Sequence, residues 1–442
     1  MLLMNPALAD DPAMIPLPTA VSESDFRPFS PQRARLGQLL FYDKLLSGNR
    51  NIACATCHHH GLASADGLSL GLGEGGVGLG VKRTPGEGES AVTRRIQRNA
   101  PALFNLGATE FQMLFHDGRL SVDADNEFHK GFNSPALEFL PEGLQSVLAA
   151  QAVFPLISEP EMAGHVDENE IAGARNRRFD YAWALVAKRV QGVAVYAQQF
   201  MAAFDDIAQG GDIKIHHIAN ALDDFMNAEW RTLNSPFDAY LRGDESALNT
   251  GQLRGMKLFY GKAQCATCHA GQLQTDHQFH SIALPQFGPG RTRQFDFKAR
   301  DRGRINESDR PEDAYRFRTP SLRNVTATAP YGHNGAYKDL RGIVEHHLDP
   351  LGALERWTPE QLILPKFDAV ENQDFLIQWD KQEQQQIRAS AAIQKIALAA
   401  SEVDAVLAFL GALTDEYALE GRLGEPDREK FSGLLLEDSI AQ

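Results

Sequence analysis

Apolar positions along this chain recur mostly with helical spacing, and runs that alternate apolar with polar residues are scarce. Ile215, Ile218, Leu222, Phe225 and Met226 fall at i, i+3, i+7, i+10 and i+11, which puts them on one face of a helix. Val403, Val406, Leu407, Leu410 and Leu413 form a second buried stripe. Ser401 is the expected start of that helix, with Asp404 at its capping-box position. Leu36, Leu39 and Leu40 mark a short helix, and Leu253 to Phe259 a similar one in the second half. Asn-Ser-Pro and Gly-Asp-Glu-Ser interrupt the pattern between Asn234 and Asn249, so a boundary is expected there. The expected division is an arm over 1–25, a first domain over 26–242 and a second over 243–442.

Composition narrows the class. At 442 residues, 43% hydrophobic and 23% charged, the chain can bury two or three cores of ordinary size. A formal charge of −15 argues against nucleic-acid binding, which needs the opposite sign. No run approaches the roughly 18–20 apolar residues of a membrane-spanning helix. Four cysteines are too few for a disulfide scaffold.

Those four cysteines fall in two copies of one pattern, Cys54-Ala-Thr-Cys57-His58 and Cys265-Ala-Thr-Cys268-His269. C-x-x-C-H is the attachment signal for c-type haem: two thiols one helical turn apart add to the two vinyl groups, and the histidine ligates iron. A zinc site would have to pair the two motifs, yet each carries its own histidine and they lie about two hundred residues apart. Two covalently bound haem c groups are therefore expected. Such attachment takes place outside the cytoplasm, which predicts a periplasmic protein. Ala7-Leu8-Ala9 before Asp10 has the form of an export cleavage site, without the charged and long apolar regions that normally precede one. Residues 1–25 accordingly read as a processed remnant, with the export signal truncated. Residues 71–90 contain Gly71-x-Gly73-x-x-Gly76, but no strand precedes it and no βαβ unit surrounds it. This segment reads as a loop over the first haem.

With both motifs placed, the chain resembles the di-haem bacterial cytochrome c peroxidase and MauG superfamily over nearly its whole length. The resemblance rests on Leu36-Gly37 through Phe41-Tyr42-Asp43 and Leu46-Ser47, on Arg98-Asn99-Ala100-Pro101-Ala102-Leu103-Phe104-Asn105, and on Phe115-x-Asp117-Gly118-Arg119. It continues with Phe317-Arg318-Thr319-Pro320-Ser321-Leu322-Arg323-Asn324, Thr328-Ala329-Pro330-Tyr331 and His333-Asn334-Gly335. It implies a mainly α fold of two cytochrome c-like haem domains with loop and helix insertions. It also implies a calcium ion between them, held by Asn99 and by the backbone carbonyls of Thr328 and Pro330.

Standard peroxidases of this family carry a second histidine after the first motif, yet none occurs here from Gly61 to Phe115. By count its place falls near Glu74, so the resemblance implies a five-coordinate or water-bound first haem. His59 and His60 are expected to be exposed polar residues beside the haem edge. The family's Gln-x-x-x-Pro element with a distal glutamate matches Gln151, Pro155 and Glu161. It makes Glu161 the acid–base residue and Gln151 its pocket partner, with Glu159 as the fallback. On the second haem the family's peroxidases use a methionine, but none follows Met256; the ligand position falls on His347, with adjacent His346 as competitor. His333 reads as a structural hydrogen-bonder, and His277 and His280 as surface or propionate-side residues. His116 stands where the family places a tryptophan between the haems. Trp183, Trp230, Trp357 and Trp379 are alternatives as relays, each read as packing. Two long insertions, about 120–148 and 351–398, are absent from a minimal family member and could cover the haem edge or dock a partner.

The resemblance implies a di-haem enzyme of the MauG- or MbnH-like branch, using hydrogen peroxide to form a high-valent iron state that oxidises a residue of a periplasmic partner protein. The alternative is a cytochrome c peroxidase that reduces peroxide to water with electrons from a small cytochrome or cupredoxin. A non-enzymatic electron carrier is disfavoured by the open first haem and the matched distal glutamate.

Overall fold

The structure is a computed structural model and describes residues 14–292, 300–368, 370–428 and 433–437. The proposed cleavage site at Ala7 to Ala9 lies outside the described residues. Helices dominate: α1 (Pro31–Tyr42), α2 (Phe179–Gln191), α3 (Ala194–Ala203), α4 (Ile215–Glu229), α5 (Thr250–Tyr260), α6 (Leu340–Leu348) and α7 (Ala400–Gly411) are the principal ones. The described residues add two small antiparallel sheets. One holds β1 (Met113–Leu114), β2 (Leu120–Val122) and β3 (Phe132–Asn133); the other holds β4 (Phe279–His280) and β5 (Phe317–Arg318).

The two halves repeat one packing device. Helix α1 lies on α4, and α5 lies on α7. At the first crossing a Cβ on Gly37 would sit 1.9 Å from the carbonyl oxygen of Ala221; at the second, a Cβ on Gly255 would sit 1.8 Å from that of Ala405. Only glycine lets the backbones approach this closely, and Phe225 and Phe409 close the two crossings in the same way. Each lead helix then delivers its cysteine motif from Leu-Phe-Tyr, at Leu40 to Tyr42 and Leu258 to Tyr260.

Local signals set the helix ends. Ser30 Oγ accepts from Arg33 N at 3.3 Å with Pro31 in the first turn, and Asn249 and Gln252 form a reciprocal box at 3.0 and 2.9 Å. Helix α7 corrects the expected start at Ser401. It begins at Ala400, because Glu402 accepts from Ala399 N at 2.8 Å, and Asp404 instead pairs with Arg341 on α6.

One apolar core gathers α1 to α4 with Phe104, Phe111 and Trp183, and the other gathers α5 and α7 with Phe237, Tyr331 and Tyr337. The chain crosses between them repeatedly. Leu70 joins the second core, while Leu273 and Ala418 join the first. Of the arm, Ile15 N donates to Tyr260 O at 2.7 Å and Val21 packs in the first core.

The 351–398 insertion lies on the glycine-rich loop of the first half. Leu72 and Val92 pack with Phe367 and Val370, Arg95 forms a buried ion pair with Asp374 at 2.9 Å, and Ser69 N donates to Ile363 O at 2.8 Å. The C-terminal segment crosses back in turn. Leu435 and Glu437 bond the backbone of Lys44 and Tyr42, and Thr56, inside the first cysteine motif, hydrogen-bonds the Glu437 carboxylate. No described helix is long and apolar enough to cross a membrane.

Candidate haem centres

Cys54–Cys57 forms one helical turn, and Ala53 N donates to Thr56 Oγ1 at 3.0 Å to start it. No disulfide joins any of the four cysteines, and burial pushes the Cys54, Cys57 and Cys265 thiols up to about 12. Environments that disfavour thiolates suit the neutral thioethers of haem attachment better than a thiolate-bound metal. His58 Nδ1 lies 3.0 Å from Ser64 O, and His269 Nδ1 lies 3.1 Å from Gln274 O. A ring that donates Nδ1–H to a carbonyl leaves the Nε2 lone pair for a metal, and orients it. Burial lowers both imidazoles, His269 to about 4, so both stay neutral as ligation requires.

At the second motif His347, on the last turn of α6, faces His269 with ring centroids 6.2 Å apart. His347 Nδ1 is fixed on Ile343 O at 2.8 Å. A separation of 6.2 Å between the rings leaves room for a metal ion between them. These residues fit a haem iron held from both sides. His346 does not compete on these contacts. It is fully buried, its Nδ1 meets Tyr337 OH at 2.9 Å and its Nε2 meets Ile282 O at 2.7 Å.

Near the first motif two loops are pinned together. Glu159–Ala163 is a single wide turn in which Ala163 N reaches Ser158 O at 2.9 Å. Gly48 N on Met162 O, Glu74 N on Pro160 O and Asn169 Nδ2 on Ala163 O hold its carbonyls at 2.7, 3.3 and 2.9 Å. The Glu161 carboxylate, half-buried, has no hydrogen bond among the described residues, and its charge is felt by Cys57 and Arg119. Glu159 is tied to Arg94, His165 and Arg175 at 3.2–3.5 Å, so its carboxylate is already committed. Gln151 is half-buried on the helix Val147–Ala152, and no hydrogen bond joins its amide to Glu161.

Glu74 is buried and accepts from Asn49 and Asn51 at 2.8 and 2.6 Å, so it is an anchored carboxylate within the loop. Arg83 organises that loop by donating to the carbonyls of Leu72, Gly73 and Gly78 at 2.6–2.7 Å. Asp66, beside Cys57 and Arg83, is lifted to about 7 by burial. Neither Arg83 nor Asp66 stood out in the sequence, where an arginine or aspartate near glycines is unremarkable without its carbonyl partners.

Between the halves, Arg98 bridges Asp117 at 2.8 Å and Asp301 at 2.6 Å. His116 and His333 stand edge to face at 6.4 Å, and Phe317 stacks on His333 at 3.5 Å. Burial first, then the Arg98 charge, pushes His116 down to about 3, so it is a neutral imidazole. Asn99 N bonds His333 O at 3.0 Å, which brings Asn99 against the turn after Thr328 and the cis Ala329–Pro330 bond. Asn99 Nδ2 donates to Leu68 O at 2.8 Å, leaving its Oδ1 as the ligand a calcium ion would use.

The remaining histidines divide. His277 pairs with Glu110 at 3.0 Å and His280 with Asp276 at 2.7 Å. His59 and His60 correct the expectation of exposed residues. Both are buried, because the returning C-terminal segment and α4 cover them, and His60 is hydrogen-bonded at both nitrogens. Trp183, Trp230 and Trp357 pack inside or partly inside, whereas Trp379 on the 351–398 insertion is 70% exposed.

Comparison with known proteins fits this geometry. Residues 31–246 match the family described as Di-haem cytochrome c peroxidase. The chain is 31% identical to the methylamine utilization protein MauG of Methylorubrum extorquens over 337 residues, 75% of this chain and 72% of that one. It is 27% identical to the cytochrome c551 peroxidase of Pseudomonas aeruginosa over 329 residues, 74% of this chain and 75% of that one. The crystal structure of a MauG-like protein associated with microbial copper homeostasis superposes with a TM-score of 0.58 at 26% identity, covering 94% of this chain and 97% of that one.

Proposed function

Because the chain belongs to the di-haem cytochrome c peroxidase family and is an enzyme acting on hydrogen peroxide, we propose that it works in the MauG-like manner, oxidising a residue of a partner protein. The observation that carries this reading is the facing pair His269 and His347, 6.2 Å between centroids, where a peroxidase would present a methionine. Two neutral imidazoles favour a low potential and a stabilised oxidised iron, which suits a haem that shares oxidising equivalents rather than one held reduced. When bound, the haem supplies the redox chemistry with peroxide.

The chain's own residues do the rest. His58, oriented by Ser64 O, would hold the first haem iron. The loop position that would offer a second ligand carries Glu74, anchored on Asn49 and Asn51, so that side would be left to peroxide. Glu161 moves the proton between the peroxide oxygens, a role for which its free carboxylate suits it and the committed Glu159 does not. Gln151 lines the same pocket. His116 would lie between the two haems; as a neutral imidazole it is harder to oxidise than indole, so electrons would hop by another path or tunnel directly. Asn99, with the carbonyls of Thr328 and Pro330, would hold calcium at the junction. The site of action is the periplasm.

A second reading, the peroxide-reducing cytochrome c peroxidase fed by a small cytochrome or cupredoxin, draws support from the likeness to the Pseudomonas aeruginosa c551 peroxidase. Peroxide titration of the fully ferric holoprotein separates the two. The MauG-like reading expects one high-spin and one low-spin haem at rest, and loss of both ferric signals with stoichiometric peroxide. A ferric protein inert to peroxide until one haem is reduced overturns it.

A further inference from the structure

Beside the first haem motif lies a buried hydrogen-bonded chain that neither ligation nor peroxide binding uses. Tyr42 is 1% exposed, and its hydroxyl meets His60 Nδ1 at 2.7 Å. His60 Nε2 bonds the carboxylate of Glu229, which is fully buried and also accepts from Leu423 N at 2.6 Å and Gly424 N at 3.0 Å. In the Nε2–H tautomer of His60 the phenol donates to Nδ1 and Nε2 donates to the Glu229 carboxylate. Trp230, also 1% exposed, lies against His60 with ring centroids 5.2 Å apart. His60 follows the iron ligand His58 by two residues, so this chain is covalently close to the haem.

We propose that Tyr42, with His60 and Glu229, is a redox-active site that takes one oxidising equivalent from the peroxide-treated haem and holds it on the polypeptide. One electron leaves the phenol for the oxidised haem iron. The phenolic proton passes to His60 Nδ1, and the Nε2 proton passes to Glu229. The products are a neutral phenoxyl radical, the other neutral tautomer of His60, a protonated Glu229 and a haem reduced by one electron. Charge and protons balance without any group outside the chain other than the haem and the peroxide that oxidised it.

Two features favour this over a purely structural hydrogen bond. A core needing only to fill space here would be served by phenylalanine, as at Phe41 alongside, whereas this site retains an acid, a base and a phenol in line. Burial, then the Glu425 and Glu229 charges, also hold the Tyr42 phenol far above its usual value. Electron loss from it is therefore useful only if the proton leaves at the same time, which the His60–Glu229 relay permits.

The test is freeze-quenched EPR of the diferric holoprotein after one equivalent of peroxide, with haem oxidation followed optically in the same samples. An organic radical signal that narrows when the protein carries ring-deuterated tyrosine is expected. Tyr42→Phe should lose most of that signal while the optical haem oxidation persists. Glu229→Gln, which keeps the shape but cannot take the proton, should lower the radical yield. The proposal is overturned if oxidised haem forms without an organic radical, if the radical narrows on indole rather than tyrosine deuteration, or if it survives intact in Tyr42→Phe. The labelling arm needs no substitution, so it decides the matter even if a variant folds poorly. The optical trace separates a failure here from a failure of the peroxide reaction itself.

Discussion

Replacing His347 by alanine probes the second centre most directly. In the ferric holoprotein the change removes one of two facing imidazoles, and the second haem should pass from low-spin to high-spin. The obvious escape is for His346 to take its place. To do so His346 must give up bonds to Tyr337 OH and Ile282 O, both made in the core at 2.9 and 2.7 Å. Leaving such buried partners unpaired costs about 1–3 kcal/mol each, roughly 2–6 in total, a penalty that added imidazole does not incur. Adjacent helical residues also point about 100° apart, so the substitution would require α6 to rotate. EPR of the ferric variant should therefore show the low-spin signal almost wholly replaced, and added imidazole should restore it. If instead low-spin signal persists in His347→Ala and disappears in His346→Ala, the reasoning from hydrogen-bond partners fails.

Two further outcomes follow from named contacts. Glu161→Gln should slow haem oxidation by peroxide about 10²–10⁴-fold in stopped-flow while leaving the resting spectrum unchanged, and Glu159→Gln should change the rate far less; equal effects would remove Glu161 from its role. At the junction of the halves, burial would raise the Asp117 and Asp301 carboxyls, but Arg98 (with Arg119 and Arg291 at Asp117) holds both below the usual carboxylate range. A depressed carboxylate contributes stability above the unfolded value near 3.9, and that contribution is lost as pH falls towards the folded value. The thermal midpoint should therefore drop below about pH 4, with Asp301→Asn costing about 3–5 kcal/mol at neutral pH and flattening the acid limb; parallel profiles for the two proteins would count against it.

Much of this fold is legible locally. The α4 stripe at Ile215, Ile218, Leu222, Phe225 and Met226 is buried as its spacing predicts, and α1 and α5 precede the cysteine motifs where the leucines indicate. The start of α7 was misread because Ser401 is an attractive cap, whereas the interaction that forms uses the glutamate at Glu402 and only the backbone of Ala399. Family membership was also legible, since the two C-x-x-C-H motifs and the segments around Asn99 and Thr328 lie in order along the chain. What escapes sequence reading is the burial of polar side chains by distant segments. His60 lies 169 positions from Glu229, and Gln38 bonds Leu423 O across 385. Nothing local to His59-His60 announces that another stretch of chain will cover it. The choice between His346 and His347 is of the same kind, because two adjacent histidines do not announce that Tyr337 OH and Ile282 O will occupy both nitrogens of His346.

The segment that returns from the second half to lie on Tyr42, Lys44 and Thr56 bears on the order of events in biogenesis. Thr56 stands between the two cysteines that must be reached by whatever joins the porphyrin to the polypeptide, and Glu437 rests on its hydroxyl. A catalyst cannot work on a turn that is already covered. Haem loading at the first motif must therefore precede the docking of residues 433–437, although the motif is synthesised almost four hundred residues earlier. On this account the C-terminal part of the described chain works as a latch that closes on the N-terminal motif once loading is done. Maturation then becomes a kinetic competition, in which loading has to outrun the chain's own closure.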